Sequence, residues 1–145
     1  MATEENPLIG GKNVMIFGVF DGLHAGHKFF IENAKKYGLN LYIVVTPTKT
    51  VKNLKGKLPS YSIKERMHAL EKEYIDARIV EGDTDQDMWT PIGKYKPNII
   101  ICGYDQIDLY DALEKIKKEY IFELVKIKEN HKGEELHSRF INKSV

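Results

Sequence analysis

The sequence predicts a single-domain α/β fold built on a doubly wound, five-stranded parallel sheet. Three observations predict it. The runs NVMIFG (13–18), LNLYIVV (39–45) and NIIIC (98–102) are continuously apolar, as strands buried on both faces are. Segments with helical apolar spacing separate these runs, and strands that alternate with helices pair in parallel through right-handed crossovers. At 145 residues, the chain suits one domain with one core.

Each element follows from local chemistry. Residues 1–12, punctuated by Pro7 and the pair Gly10 and Gly11, read as a flexible tail, and 13–145 as the domain. The first strand covers 13–18. A helix over 26–37 places Phe29, Phe30, Ala34 and Tyr37 at helical spacing, with Gly38 as its C-cap. The second strand, 39–45, ends at Pro47. Residues 48–58 carry Lys49, Lys52, Lys55 and Lys57 without apolar period and read as a basic loop. Ser62, with Glu65 three positions on, forms a capping box for a helix whose stripe is Ile63, Met67 and Leu70. A short strand (77–80) follows. A short helix (87–95) then places Met88, Ile92 and Tyr95 on one side, with Pro91 in its first turn. The fourth strand (98–102), an amphipathic helix (109–119), a fifth strand (121–127) and a short final helix (136–143) complete the order.

The chemistry concentrates in GVFDGLHAGH (18–27), between the first strand and the first long helix. A helix N-terminus in that position offers free N–H groups and the positive end of the helix dipole. Gly22 and Gly26 let backbone approach a ligand, and His24 and His27 add ring donors to the same volume. Together these make a phosphate site. No Walker A pattern is present, and the glycine spacing does not match the dinucleotide fingerprint. A zinc site would need a third protein ligand, and the only other soft candidate, Cys102, reads as a small buried residue in a strand, so no metal ligand is assigned.

Composition narrows the classes further. Hydrophobic residues at 42% and charged residues at 30% are ordinary for a soluble globular chain, and a formal net charge of +1 gives no reason to expect nucleic acid or an anionic membrane as partner. No apolar run is long enough to span a bilayer, the N-terminal residues lack the apolar core of a signal peptide, and a single cysteine suits a reducing compartment; the expected location is cytoplasmic.

GVFDGLHAGH resembles the G-x-F-D-x-x-H-x-G-H signature of cytidylyltransferase-like nucleotidyltransferases, with Val19 where a threonine or serine is common. Further segments resemble the same family: the lysine stretch KTVKNLKGK (49–57), Glu65-Arg66-Met67, IIICGYDQ (99–106), and His137-Ser138-Arg139-Phe140-Ile141, a departed form of the terminal S-S-S/T-x-I segment. The resemblance implies a Rossmann-like nucleotidyltransferase fold. It also implies in-line attack by an acceptor phosphate on the α-phosphorus of a nucleoside triphosphate, with release of pyrophosphate. On that likeness His24, His27 and Lys49 are catalytic. Gly18, Val19, Phe20, Asp21, Gly26, Gly103, Asp105, Ser138 and Arg139 join the two histidines in binding the nucleotide. Lys49, Lys52 and Arg66 bind the acceptor, although a solvent-facing position on its helix is the plainer expectation for Arg66. Mg²⁺ or another divalent cation would arrive with the triphosphate.

The acceptor divides the relatives. The lysine stretch, the GYDQ turn and the C-terminal segment most resemble archaeal FAD synthases, which implies ATP plus FMN giving FAD plus diphosphate. EYIDARI (73–79) echoes a segment of glycerol-3-phosphate cytidylyltransferases, with Glu73 where an arginine leads, and residues 81–85 resemble the adenylyltransferase of ADP-heptose synthesis. ATP or CTP therefore remain as donors, with FMN first among acceptors. A non-catalytic nucleotide-binding module is the alternative of another class, and the intact histidine pair speaks against it. Homodimer formation is open, since Tyr110, Tyr120 and Phe122 suit an interface or a core. Trp89 suits the core or an acceptor pocket.

Overall fold

The computed structural model describes residues 11–85 and 87–128. Five strands, β1 (Asn13–Gly18), β2 (Asn40–Val45), β3 (Arg78–Glu81), β4 (Ile99–Cys102) and β5 (Glu123–Lys126), form one sheet in the order β3-β2-β1-β4-β5. Every pairing is parallel. The helices are α1 (Ala25–Lys35), α2 (Thr48–Lys55), α3 (Ile63–Glu73), α4 (Thr90–Tyr95) and α5 (Ile107–Tyr120). The expected helix at 136–143 lies outside the described residues.

Strand alternation explains the two-sided core. Val14, Ile16, Ile43, Val45, Ile99 and Ile101 point to one face, where they meet Ile31 and Ala34 of α1 and Leu70 of α3. Met15, Val44, Ile100 and Cys102 point to the other and meet Ile92 of α4 and Leu113 of α5. Both faces are therefore apolar, which is why the strands read as unbroken apolar runs. Tyr110, Tyr120 and Phe122 pack against the second cluster, so they serve the core. Burial pushes the Cys102 thiol up to about 12, with Lys126 only partly opposing it, so it is a packing group rather than a nucleophile.

The chain winds outward from β1 through β2 to β3, then crosses over to β4 and β5. The direction reverses between β1 and β4, and ligands of such sheets bind beyond the carboxyl ends of the strands at that point.

Two local expectations change. Residues expected to form a basic loop form helix α2, which buries only Thr50 and Val51 and stops at Gly56, left-handed at φ 77°. Two buried residues in eight leave no readable apolar period, while Lys52 and Lys55 in the last turn suit the negative end of the helix dipole. Gly38 is not the C-cap of α1; Lys36 caps it in a right-handed conformation. Gly38 is instead a site of close approach, since a Cβ there would lie 2.4 Å from the Lys12 carbonyl oxygen and 2.8 Å from Val14 Cγ2. Gly38→Ala is expected to cost about 1–3 kcal/mol, the usual penalty for overpacking, read as a lower urea midpoint; an unchanged midpoint would show that the 11–14 backbone yields freely.

Candidate active site

β1 ends at Gly18, and the chain must then turn to start α1. It does so through Phe20, a buried non-glycine residue at φ 51°. Left-handed backbone costs an ordinary residue roughly 1–2 kcal/mol, which burying a phenyl ring offsets. The ring folds back over Gly18, where any Cβ would stand 2.7 Å from Phe20 Cε2. The same ring meets the His27 imidazole edge-on at 5.4 Å. Gly18 and Phe20 thus position His27. Asp21 binds protein rather than facing the cleft: its two carboxylate oxygens accept the Ser60 N–H at 2.7 Å and the Tyr61 N–H at 2.9 Å. Partial burial opposes its charge, but these bonds, aided by Arg66 and His27, hold its carboxyl below the usual value.

Arg66 is 1% exposed. Its Nε donates to the Tyr61 carbonyl at 3.0 Å, and one terminal nitrogen donates to the carbonyls of Val19 at 2.9 Å and Thr46 at 2.7 Å. The other reaches Thr48 Oγ1 at 3.3 Å. Neither the expected acceptor contact nor a solvent-facing position fits this placement. The guanidinium is spent on backbone carbonyls inside the fold, where it joins the ends of β1 and β2 to the start of α3.

The two histidines cap α1 reciprocally. His24 Nδ1 accepts the Gly26 N–H at 3.1 Å, and His27 Nδ1 accepts the His24 N–H at 3.3 Å. The rings stack with centroids 3.7 Å apart and planes 20° from parallel. An Nδ1 that accepts from an amide carries no proton, so each neutral ring carries its proton on Nε2 and is a donor there. Burial, then the neighbouring His24, push the His27 pKa down to about 4, with Lys55 adding to the effect and Asp105 and Asp21 opposing it. His27 is therefore a neutral donor at physiological pH.

Both rings line a cleft of about 1180 Å³. Gly18, Val19, Phe20 and Gly26 share it from the first loop, and Gly103 and Asp105 from the turn after β4. That turn is tied across the switch point by Gln106. Its Oε1 accepts the Gly103 N–H at 2.8 Å, and its Nε2 donates to the Phe17 carbonyl at 2.7 Å. Lys49 and Lys52 are exposed and do not line the cleft, whereas Lys55 does. A helical reading of 48–55 would have selected Lys55, which stands at i+4 from the buried Val51. Trp89 meets Phe17 edge-on at 6.1 Å against the second core cluster, and it also lines the cleft. Ser138 and Arg139 lie outside the described residues. Among the described residues, no group of three or more His, Cys, Asp or Glu side chains is placed to hold a metal ion, and no helix is long and apolar enough to cross a membrane.

The depressed His27 pKa has a pH signature. The folded chain binds this proton less readily than the unfolded chain, whose histidine has the ordinary value of 6.5. Its share of stability is complete above that value and is lost as pH falls toward 4. Histidine ¹⁵N spectra should show His27 neutral, protonated on Nε2, down to a midpoint near 4; a midpoint near 6.5 would contradict the buried, reciprocally capped arrangement.

Known proteins share this architecture and sequence. The chain matches the cytidylyltransferase-like family model over residues 15–141. It is 33% identical over 106 residues to the FAD synthase of Methanohalophilus mahii, across 70% of this chain and 72% of that one. It is 35% identical over 109 residues to the FAD synthase of Thermococcus sibiricus, across 74% of each. Among solved structures, the lipopolysaccharide core biosynthesis protein from Thermoplasma volcanium GSS1 superposes with a TM-score of 0.70 at 32% identity, over 81% of this chain and 97% of that one. Pantoate-beta-alanine ligase from Francisella tularensis, at 11% identity and a TM-score of 0.56 over 80% of this chain and 59% of its own, shares the fold. With its stacked histidine pair at the switch point and a family match that runs from β1 past β5, the chain belongs to the cytidylyltransferase-like family of nucleotidyltransferases.

Proposed function

We propose that the protein transfers the adenylyl group of ATP to FMN, forming FAD and releasing pyrophosphate. The observation that carries the transfer chemistry is the stacked pair of histidines beside the N-terminus of α1, whose Nδ1 atoms accept backbone amides and leave Nε2 as the donor to the cleft. The choice of FMN draws support from relatives named FAD synthase that align with most of the chain.

In this reading an oxygen of the FMN phosphate attacks the α-phosphorus, and the bond from that phosphorus to the bridging oxygen breaks opposite. The acceptor phosphate is already anionic at neutral pH, so no general base is required. The protein's task is alignment and stabilisation of developing charge. His24 and His27 donate to phosphate oxygens, and Lys55 balances the charge of the departing pyrophosphate. Lys55 thereby takes the part expected of Lys49 and Lys52. Gly103 and Asp105 face the nucleoside. Mg²⁺ would arrive with the triphosphate and would supply further charge neutralisation.

Pyrophosphate release in the presence of Mg²⁺ tests the reading, with ATP or CTP offered against FMN, glycerol 3-phosphate, phosphocholine or a sugar 1-phosphate. Turnover is expected with ATP and FMN. Preference for CTP and glycerol 3-phosphate would overturn the acceptor, and no turnover with any pair would leave a binding module. His27→Ala should raise the barrier at saturating substrate by about 2–4 kcal/mol while KM for ATP changes little; equal losses in both would mean uniform ground-state binding.

A further inference from the structure

The cleft has two apolar arms, one on each side of the histidine pair, and they differ in character. One is the turn after β4, where Tyr104 is 46% exposed and Ile107 59% exposed. The other lies at the β2–β3 end, where Leu54 is 62% exposed, Met88 is 51% exposed and Trp89 is half-buried. Large apolar side chains left in water beside a polar centre mark a ligand surface. The arms thus suit a product in which two ring systems flank a diphosphate.

From these residues we propose that the arm formed by Leu54, Met88 and Trp89 holds the three-ring isoalloxazine of the acceptor and sets its specificity; this rests on the FMN reading above. Two observations favour this arm. First, it is walled from two elements. Thr50 Oγ1 donates to the carbonyls of Asp83 and Thr84, both at 3.3 Å, which pins α2 beside the loop leading to Met88 and Trp89. Leu54 stands one turn on from Thr50, on the same side of α2. Second, Trp89 is the chain's single tryptophan, and it offers the widest aromatic surface in the cleft.

The test separates KM for FMN from KM for ATP in the full chain, by pyrophosphate release. Trp89→Leu should raise KM for FMN about tenfold, as loss of one ring-stacking partner does, with KM for ATP unchanged. Met88→Ala, at an exposed position where folding is not at stake, should shift KM for FMN in the same sense, and Tyr104→Ala should shift KM for ATP instead. Emission of bound FMN should be quenched in the wild type and recovered in Trp89→Leu. Wild-type turnover of FMN with KM for ATP rising in the Met88 or Trp89 variants, or with neither KM moving, would overturn this assignment alone. Turnover of another acceptor and none of FMN would overturn the acceptor reading and this assignment with it.

Discussion

A single buried cation holds the floor of the site. The Arg66 guanidinium accounts for the ends of β1 and β2 and the approach to α3 at once, through the carbonyls of Val19, Thr46 and Tyr61. Burying a charge costs several kcal/mol unless its donors are satisfied, and here Nε, both terminal nitrogens and the nearby Asp21 charge compensate it. Asp21 completes the tie from the other side by gripping the Ser60 and Tyr61 amides. With these loops joined, the backbone can hold Phe20 at positive φ, and Phe20 in turn can brace His27. Truncating Arg66 would leave buried carbonyls without partners in each of those loops.

The same architecture decides what the histidines can do. A nucleophilic or basic imidazole needs an unprotonated nitrogen free to meet the substrate. In both rings the unprotonated nitrogen is Nδ1, and it is turned inward onto backbone amides of the helix cap. What remains for the cleft is a pair of donors. Burial keeps His27 neutral without weakening that capacity, because a neutral ring still donates through Nε2. In the proposed transfer the pair would stabilise charge without passing a proton, which suits an acceptor that arrives already ionised.

Much of this was legible because its causes are local. Apolar runs, the capping box of Ser62 and Glu65, and the glycine–histidine spacing of 18–27 each express physics within a few residues, and the structure realises the strands, α3 and the loop-to-helix site accordingly. Features set by distant partners were not legible. Arg66 is tied to Val19 across 47 positions and Gln106 to Phe17 across 89, and neither leaves a periodic signal. Asp21, expected at the nucleotide, is claimed by amides about 40 positions on. The helix α2 hid among lysines because only Thr50 and Val51 face inward, and with the helix went the phase that distinguishes Lys55 from Lys49 and Lys52. Gly38 was misassigned because close approach to Lys12 is a tertiary fact.

As donors to a single in-line displacement, His24 and His27 would never carry the nucleotidyl group. The stereochemistry at phosphorus measures this directly. With ATP made chiral at the α-phosphorus by sulfur substitution, and FMN as acceptor, one displacement predicts inversion of configuration in the product. Retention would require two displacements through a nucleotidyl-histidine, and would mean that the helix cap does not hold the Nδ1 atoms inward.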